Sequence, residues 1–496
     1  MWYGVPRIVS RFLFFGISLL TFQLFDPNGS YAYTQIYALM PFLNILFTYG
    51  LETSYFRFAQ LHDRKELYNT LNTSIIISTF LFSALLLLLH EPVTNLVEMN
   101  KRPEFVTWMI GIVFFDTLCA LPMAKLRLEE RPRKYALVNV TGVLINIGLV
   151  LFFYFVAKPA YENDRYTFLG TLYRPEIGIG YFLIANLVAS AATLLLLYKE
   201  FAAFRFSLNV KLLKEVLLYS YPLVIVGFGG MINEMLSRLV YQKIIPGDTQ
   251  QEEFELGVFG ANYKLAVVVT IFIQIFRLAA EPFFFNQSKQ EGAQRMYARV
   301  MKFFVIACCF MFLSVALFLD GWKLLIAYRF PSYAEGIHIV PILAMGSVFL
   351  GIYYNLSVWY KLTNRNMMGA WITLAGAALT IVLNVVLIPH YRYTGAAWAT
   401  LVCYASMMVA SYLLGQKYYP VPYARKKLLA YIAIVTLLYL LHEAMVWPLN
   451  EKAGYYPFVY FGTALLLLGS FAWLILKVEK REFVKLPYIG KWVEKV

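Results

Sequence analysis

Ionisable side chains fall inside, or at the ends of, strongly apolar stretches, among them Arg11, Glu52, Arg57, Asp116, Arg238, Lys264, Arg277 and Glu281. A charge left bare in hydrocarbon costs several kcal/mol, so each of them marks a wet face or a local ion pair. Arg238 follows Glu234 by four residues, and Arg277 precedes Glu281 by four. At that helical spacing an ion pair fits as well as a ligand role. Lys264 has no acidic residue within a turn, whereas Arg11 and Arg57 lie near segment ends and have the reach to snorkel. Asp116, in "VFFDTLCALP", is the deepest lone acid. A carboxylate whose charge changes during a cycle would couple it to H+ or Na+; a plain hydrogen bond to a neighbouring helix is the other reading. Asn139, Asn146, Asn233, Asn355 and Asn384 are read as interhelical hydrogen-bonding groups.

Other chemistries lack their parts. No G-x-x-x-x-G-K-[ST] loop is present, so the chain carries no nucleotide-hydrolysing engine of that type. His62, His90, His338, His390 and His442 are scattered, which gives no metal-ligand spacing, and no catalytic carboxylate pair stands out. Cys119, Cys308, Cys309 and Cys403 all lie in apolar segments and read as small buried residues. The sequence therefore points to no enzyme, metal or cofactor.

What must position the charges is a set of membrane helices. Of 496 residues, 60% are hydrophobic and 15% charged, against roughly 25% charged in an ordinary soluble chain. Continuously apolar runs such as "GTALLLLGSFAWLIL" exclude the alternation of a transmembrane barrel. Runs of spanning length lie near 8–25, 31–56, 67–89, 104–124, 135–157, 176–198, 215–237, 256–284, 299–319, 334–360, 367–388, 394–415, 428–447 and 455–476. The expectation is an all-α polytopic membrane protein of about 14 transmembrane helices, with the first span retained rather than cleaved.

The net charge of +14 follows the membrane rather than nucleic acid. With the N-terminus placed inside, one side collects 30 Lys and Arg, counting those at span ends, and the other 11. That asymmetry puts both termini in the cytoplasm. The basic stretches "KLRLEERPRK" and "YARKK" are then topology determinants.

Two halves repeat. At an offset of 229, "ETSYF" (52–56) meets "EPFFF" (281–285) and Tyr68 meets Tyr297; "ALLLLLHE" (84–91) then meets "ALFLDG" (316–321). "RLEERPRKYALVN" (127–139) meets "KLTNRNMMGAWIT" (361–373) at 234. The order of the matches carries the inference. The offset covers an even number of spans, so equivalent helices point the same way, the parallel kind of repeat found in transporters. The expected domains are 1–205, 206–420 and 421–496: two six-helix bundles, then two extra helices with a basic tail.

"YGVPRIVSRFLFF" (3–15), "FTYGLETSYFRF" (47–58), "KLRLEERPRKYALVN" (125–139), "LAAEPFFFNQ" (278–287) and "NVVLIPHYRYTGAAWATLVCY" (384–404) resemble the polysaccharide transporter family. That family belongs to the multidrug/oligosaccharidyl-lipid/polysaccharide exporter superfamily and includes O-antigen-type flippases. The resemblance implies a V-shaped pair of pseudo-symmetric bundles and alternating access in a bacterial cytoplasmic membrane. The implied cargo is a polyprenyl-diphosphate-linked oligosaccharide, with membrane lipids and glycan polymerase or glycosyltransferase machinery as partners. A guanidinium fork matches phosphate oxygens bidentately. Under that resemblance Arg11, Arg57, Arg238, Lys264 and Arg277 are the candidate ligands of the anionic headgroup, Glu52 and Glu281 the candidate inner gate, and Asp116 the candidate coupling group. Two other readings remain: a drug or metabolite exporter of the MATE type, disfavoured by the excess of cations over lone acids, and a glycan polymerase or ligase, disfavoured by short outer loops.

Overall fold

The computed structural model describes residues 4–202, 204–245, 248–287, 290–363, 365–449 and 453–484. Every regular element among them is helical. The long ones are α1 (Gly4–Leu24), α2 (Pro27–Thr48), α3 (Arg64–Leu88), α4 (Pro103–Leu128), α5 (Pro132–Phe152), α6 (Gly180–Leu196), α7 (Val210–Ile244), α8 (Thr249–Gln287), α9 (Ala293–Ala316), α10 (Ile339–Leu356), α11 (Asn366–Tyr418), α12 (Arg425–Val446) and α13 (Tyr456–Val478). Among the described residues ten helices are long and apolar enough to cross a membrane, and Ile8–Leu24 and Gly180–Leu196 are shorter apolar helices.

Local chemistry sets the ends. Asp26 caps α2 by accepting from the Gly29 amide at 2.9 Å, with Pro27 in the first turn. Asp63 caps α3 through the amides of Lys65 and Glu66, and Asn209 caps α7 through that of Leu212. The expected second span, 31–56, is two helices. Tyr49 (φ 32°) and Gly50 (φ 75°) turn left-handed and stop α2 at Thr48, the usual way a glycine ends a helix. A separate helix, Leu51–Phe58, then starts with Glu52 in its first turn and Arg57 in its last. That placement sets each charge against the opposite end of the helix dipole.

The expected spans 367–388 and 394–415 both lie on α11, which is two helices meeting at a kink at Arg392. There φ is 54° and ψ −140°, just after Pro389, a conformation costly for a residue with a Cβ. A Cβ on Gly395 would sit 2.4 Å from the Leu387 carbonyl oxygen, so only glycine fits this turn. Pro222, by contrast, makes no break: α7 continues through it.

Contacts divide the chain into two compact units. The first comprises Met1–Ala261, Ile326–Glu335 and Thr373–Ala399; the second comprises Asn262–Leu325, Gly336–Ile372 and Thr400–Val496. In the first unit α4 packs against α2, α3, α5 and α6. One of its cores gathers Leu51, Tyr55, Leu67, Tyr68, Leu71, Leu121 and Val216. In the second, a core gathers Phe284, Tyr297 and Val421, with Val358 and Leu362, just after α10, packed against it. The sequence repeat has a physical counterpart here. The Tyr55 and Tyr68 rings touch at 6.2 Å in one unit, and their offset equivalents Phe284 and Tyr297 touch at 5.2 Å in the other.

Candidate functional site

A cavity of about 410 Å³ lies within the first unit among α1, α4, α5 and α6. Its lining carries Arg11, Asp116, Asn139, Asn186, Ser190 and Thr193. α1 supplies Ser10, Arg11 and Phe14 as successive positions facing one way, and Ser10 donates to Asn139 Oδ1 on α5 at 2.6 Å. α6 is rich in small residues, "ANLVASAAT" (185–193), which lets its polar groups reach the cavity. A Cβ on Gly142 would meet the Thr193 hydroxyl at 2.6 Å, so α5 and α6 approach there because that position is glycine. Ser190 is placed to hydrogen-bond the Asp116 carboxylate, and Asn186 donates to the Tyr37 hydroxyl at 3.2 Å. Asp116 is exposed into the cavity although it sits midway along α4. A cavity with one cation, one carboxylate and amide and hydroxyl groups between them suits a polar anionic group that also needs hydrogen bonds.

Arg11 also acts electrostatically on Glu234 of α7, as Arg238 does. Arg238 is buried and donates to the Glu234 carbonyl oxygen at 2.9 Å, so its guanidinium is held against its own helix. Among the headgroup candidates, then, Arg11 shares the cavity with Asp116 while Arg238 lies beside it across Glu234. Arg57 is exposed on its short helix with its guanidinium 4.2 Å from the Tyr219 ring centroid. Glu52 is paired with Arg127 at the end of α4. In the second unit Lys264 is half-buried on α8, and Arg277 is exposed, 4.8 Å from the centroid of Tyr354. The side chain of Glu281 lies outside the described residues.

The sequence reading missed the polar face of α6; Asn139, which it read as an interhelical group, does accept from Ser10 of α1 and also lines the cavity. The signal for the α6 face was the run of Asn, Ser and Thr at positions 186, 190 and 193 of one helix. It also missed a buried acidic cluster at the start of α8. Glu253 binds Lys101 at 2.8 Å and accepts a hydrogen bond from Tyr31; Glu255 accepts from Tyr241 at 2.8 Å and lies 3.6 Å from Arg392. Just beyond it α8 meets α2 backbone to backbone. Cβ atoms on Gly257 and Gly260 would sit 2.1 Å from the Pro27 carbonyl oxygen and the Thr34 hydroxyl, respectively.

At the far end of the second unit Glu479 ties three elements together. It accepts from Lys427 at 2.8 Å and Tyr431 at 2.7 Å on α12 and pairs with Lys302 on α9. Burial pushes its carboxyl up, but these hydrogen bonds outweigh burial and hold it below the usual range for a glutamate.

No protein-family model and no curated protein sequence matches the chain. Solved structures do. A lipid II flippase MurJ in an inward closed conformation superposes with a TM-score of 0.67 at 15% identity, over 96% of this chain and 98% of that one. An inward-facing multidrug resistance MATE transporter of the MOP superfamily gives 0.61 at 14% identity, over 85% and 95%. The MATE multidrug transporter DinF-BH gives 0.56 at 15%, over 84% and 95%. At these identities the likeness is one of fold, shared with the lipid II flippase MurJ and the MATE transporters.

Proposed function

We propose that this chain, built on the fold shared by a lipid flippase and multidrug exporters, translocates a polyprenyl-diphosphate-linked oligosaccharide or polysaccharide repeat unit. It does so by alternating access across a bacterial cytoplasmic membrane, with both termini on the cytoplasmic side. The observation that carries the reading is the cavity holding Arg11 and Asp116 inside a body of apolar helices. Diphosphate and sugar cannot cross hydrocarbon without replacing their water. The guanidinium of Arg11 offers the diphosphate a charge-assisted fork, and Asn139, Asn186, Ser190 and Thr193 offer sugar hydroxyls donors and acceptors. The lipid tail never leaves the bilayer, so the protein needs to supply only a wet path for the head. No bond in the cargo is made or broken.

In this reading Asp116 is the coupling group. It takes up H+ or Na+ on the far side once the head has left and gives the ion up on the cytoplasmic side, so the ion moves inward as the cargo moves outward. Lys264 and Arg277 serve as further headgroup cations, and Glu52 and Glu281 as the inner gate. A MATE-type exporter is the second reading, favoured by the carboxylate in the cavity, which would hold a cationic drug.

Purified protein in vesicles separates the two. Movement of a labelled polyprenyl-diphosphate oligosaccharide between leaflets, with no uptake of an organic cation dye, is the expected result. Dye transport with an immobile lipid would overturn the flippase reading in favour of the drug exporter.

A further inference from the structure

The second unit carries a groove that the transport reading does not use. It is about 240 Å³ in volume and runs between α12 and the trio α9, α10 and α11. Its walls are Met301 and Val305, Ile352 and Leu356, Met408 and Val409, with Leu428, Leu429 and Ile432 opposite. Apart from Tyr412, Tyr423 and Arg425, the lining residues are aliphatic or methionine. The sequence explains why the gap exists. "YPVPY" (419–423) follows α11, and Pro420 and Pro422 bar helix there. The extended connection sets α12 off from α11, leaving Tyr412 and Tyr423 at one end as the only rings in the wall. Val409 and Leu429 are strongly exposed, so the groove opens outward onto the apolar exterior.

Its mouth is basic. α12 begins with Arg425, Lys426 and Lys427, and Arg425 lines the groove. Arg299, Lys302 and Lys427 share the two carboxylates at this end, Glu482 and Glu479. Arg425 and Lys426 have no carboxylate within 4.0 Å among the described residues, and both are exposed. Five cations therefore meet two acids, and the two that remain uncompensated stand at the opening of an apolar slot. A long cation at the mouth of such a slot can lay its alkyl stem along the apolar wall and hold its head in the headgroup region.

We propose that the groove is a binding site for one anionic membrane phospholipid, with an acyl chain between α12 and α9–α11 and its phosphate on Arg425 and Lys426. Dimensions favour a single chain. From Arg425 to Ile432 the helix rises about 10 Å, so 240 Å³ corresponds to a section of about 24 Å², room for one extended hydrocarbon chain. Charge favours an anionic head over a zwitterionic one, since among the described residues the mouth has surplus positive charge and no free carboxylate to meet a choline or an ethanolamine. The lipid would fill the joint between the C-terminal helix pair and the rest of the second unit. This inference is independent of what the transporter carries.

The test uses the full chain in nanodiscs, with native mass spectrometry and thermal melting as readouts. Discs of phosphatidylglycerol should leave one tightly held lipid per chain and raise the melting temperature over phosphatidylcholine discs. Arg425→Gln/Lys426→Gln should weaken retention by roughly thirtyfold, as expected for two basic side chains at a membrane surface. Leu429→Trp, which fills the slot and keeps the cations, should abolish retention while the protein still melts cooperatively. Equal retention of both lipids, or retention untouched by both variants, overturns the proposal. So does a shift reproduced by inorganic phosphate alone, which would mean an anion site without a chain, or displacement of phosphatidylglycerol by substoichiometric polyprenyl diphosphate.

Discussion

Replacing Gly257 with alanine puts the close approach of α8 and α2 to a quantitative test. The added Cβ would lie 2.1 Å from the Pro27 carbonyl oxygen and 2.7 and 2.8 Å from that residue's carbonyl carbon and Cα. Ordinary contact begins near 3.4 Å, so the helices must part by about 1.3 Å, and the obstacle is backbone, which cannot rotate aside. Overpacking of this kind costs about 1–3 kcal/mol, and a backbone clash belongs at the upper end. Alanine gains about 0.5–1 kcal/mol over glycine inside a helix, so the net loss is about 2 kcal/mol. Parting α8 from α2 also loosens Tyr31 from Glu253 and Ser30 from Tyr333, which lie on the same seam. The assay is thermal melting of purified protein beside Gly230→Ala, a helical site with nothing within 4 Å of the new methyl. Gly257→Ala should melt several degrees lower, at roughly 2–4 °C per kcal/mol, and Gly230→Ala should match the parent or exceed it. Equal melting of the two variants would refute the packing argument.

Glu479 gives a prediction in pH. Its carboxyl is held below the ordinary value near 4.3, so the docking it provides is fully present above that pH and is lost as pH falls through the lowered value. Glu479→Gln should cost about 2 kcal/mol at pH 7 by leaving Lys302 with Glu482 alone, at 3.9 Å, and the gap between variant and parent should close as pH falls through the lowered carboxyl value, read by melting across pH. Glu52→Gln removes a part-exposed partner of Arg127, so its melting cost should stay under about 1 kcal/mol. A marked loss of lipid flipping with so little loss of stability supports the gate, whereas unchanged flipping removes Glu52 from it. Asp116→Asn should abolish dependence on the ion gradient in vesicles while the protein inserts normally; an unaltered gradient dependence makes the residue structural.

The helices were legible because twenty apolar residues in a row admit few other readings. The break at Tyr49–Gly50 was harder. "FTYGLETSYF" stays apolar across it, and only the glycine signals the stop. Arg11 and Asp116 were each picked out as charges in apolar surroundings, but 105 residues separate them in the chain. Nothing local says that α1 and α4 face one cavity. Asn186, Ser190 and Thr193 share a helical face that periodicity alone displays, yet with no acid or base among them nothing in the sequence marks that face as a cavity wall. Glu253 and Glu255 stand just before the expected span 256–284, and a buried carboxylate is recognisable only once its Tyr and Lys partners, 152 residues away in the case of Lys101, are in place.

All of the functional reading rests on the cavity being where the anionic head is held. The most direct measurement is equilibrium binding of a polyprenyl-diphosphate oligosaccharide to the parent protein and to Arg11→Ala, both in nanodiscs. Losing one charge-assisted fork should weaken binding by about tenfold or more, with melting unchanged. Identical affinity in the two proteins would contradict the account.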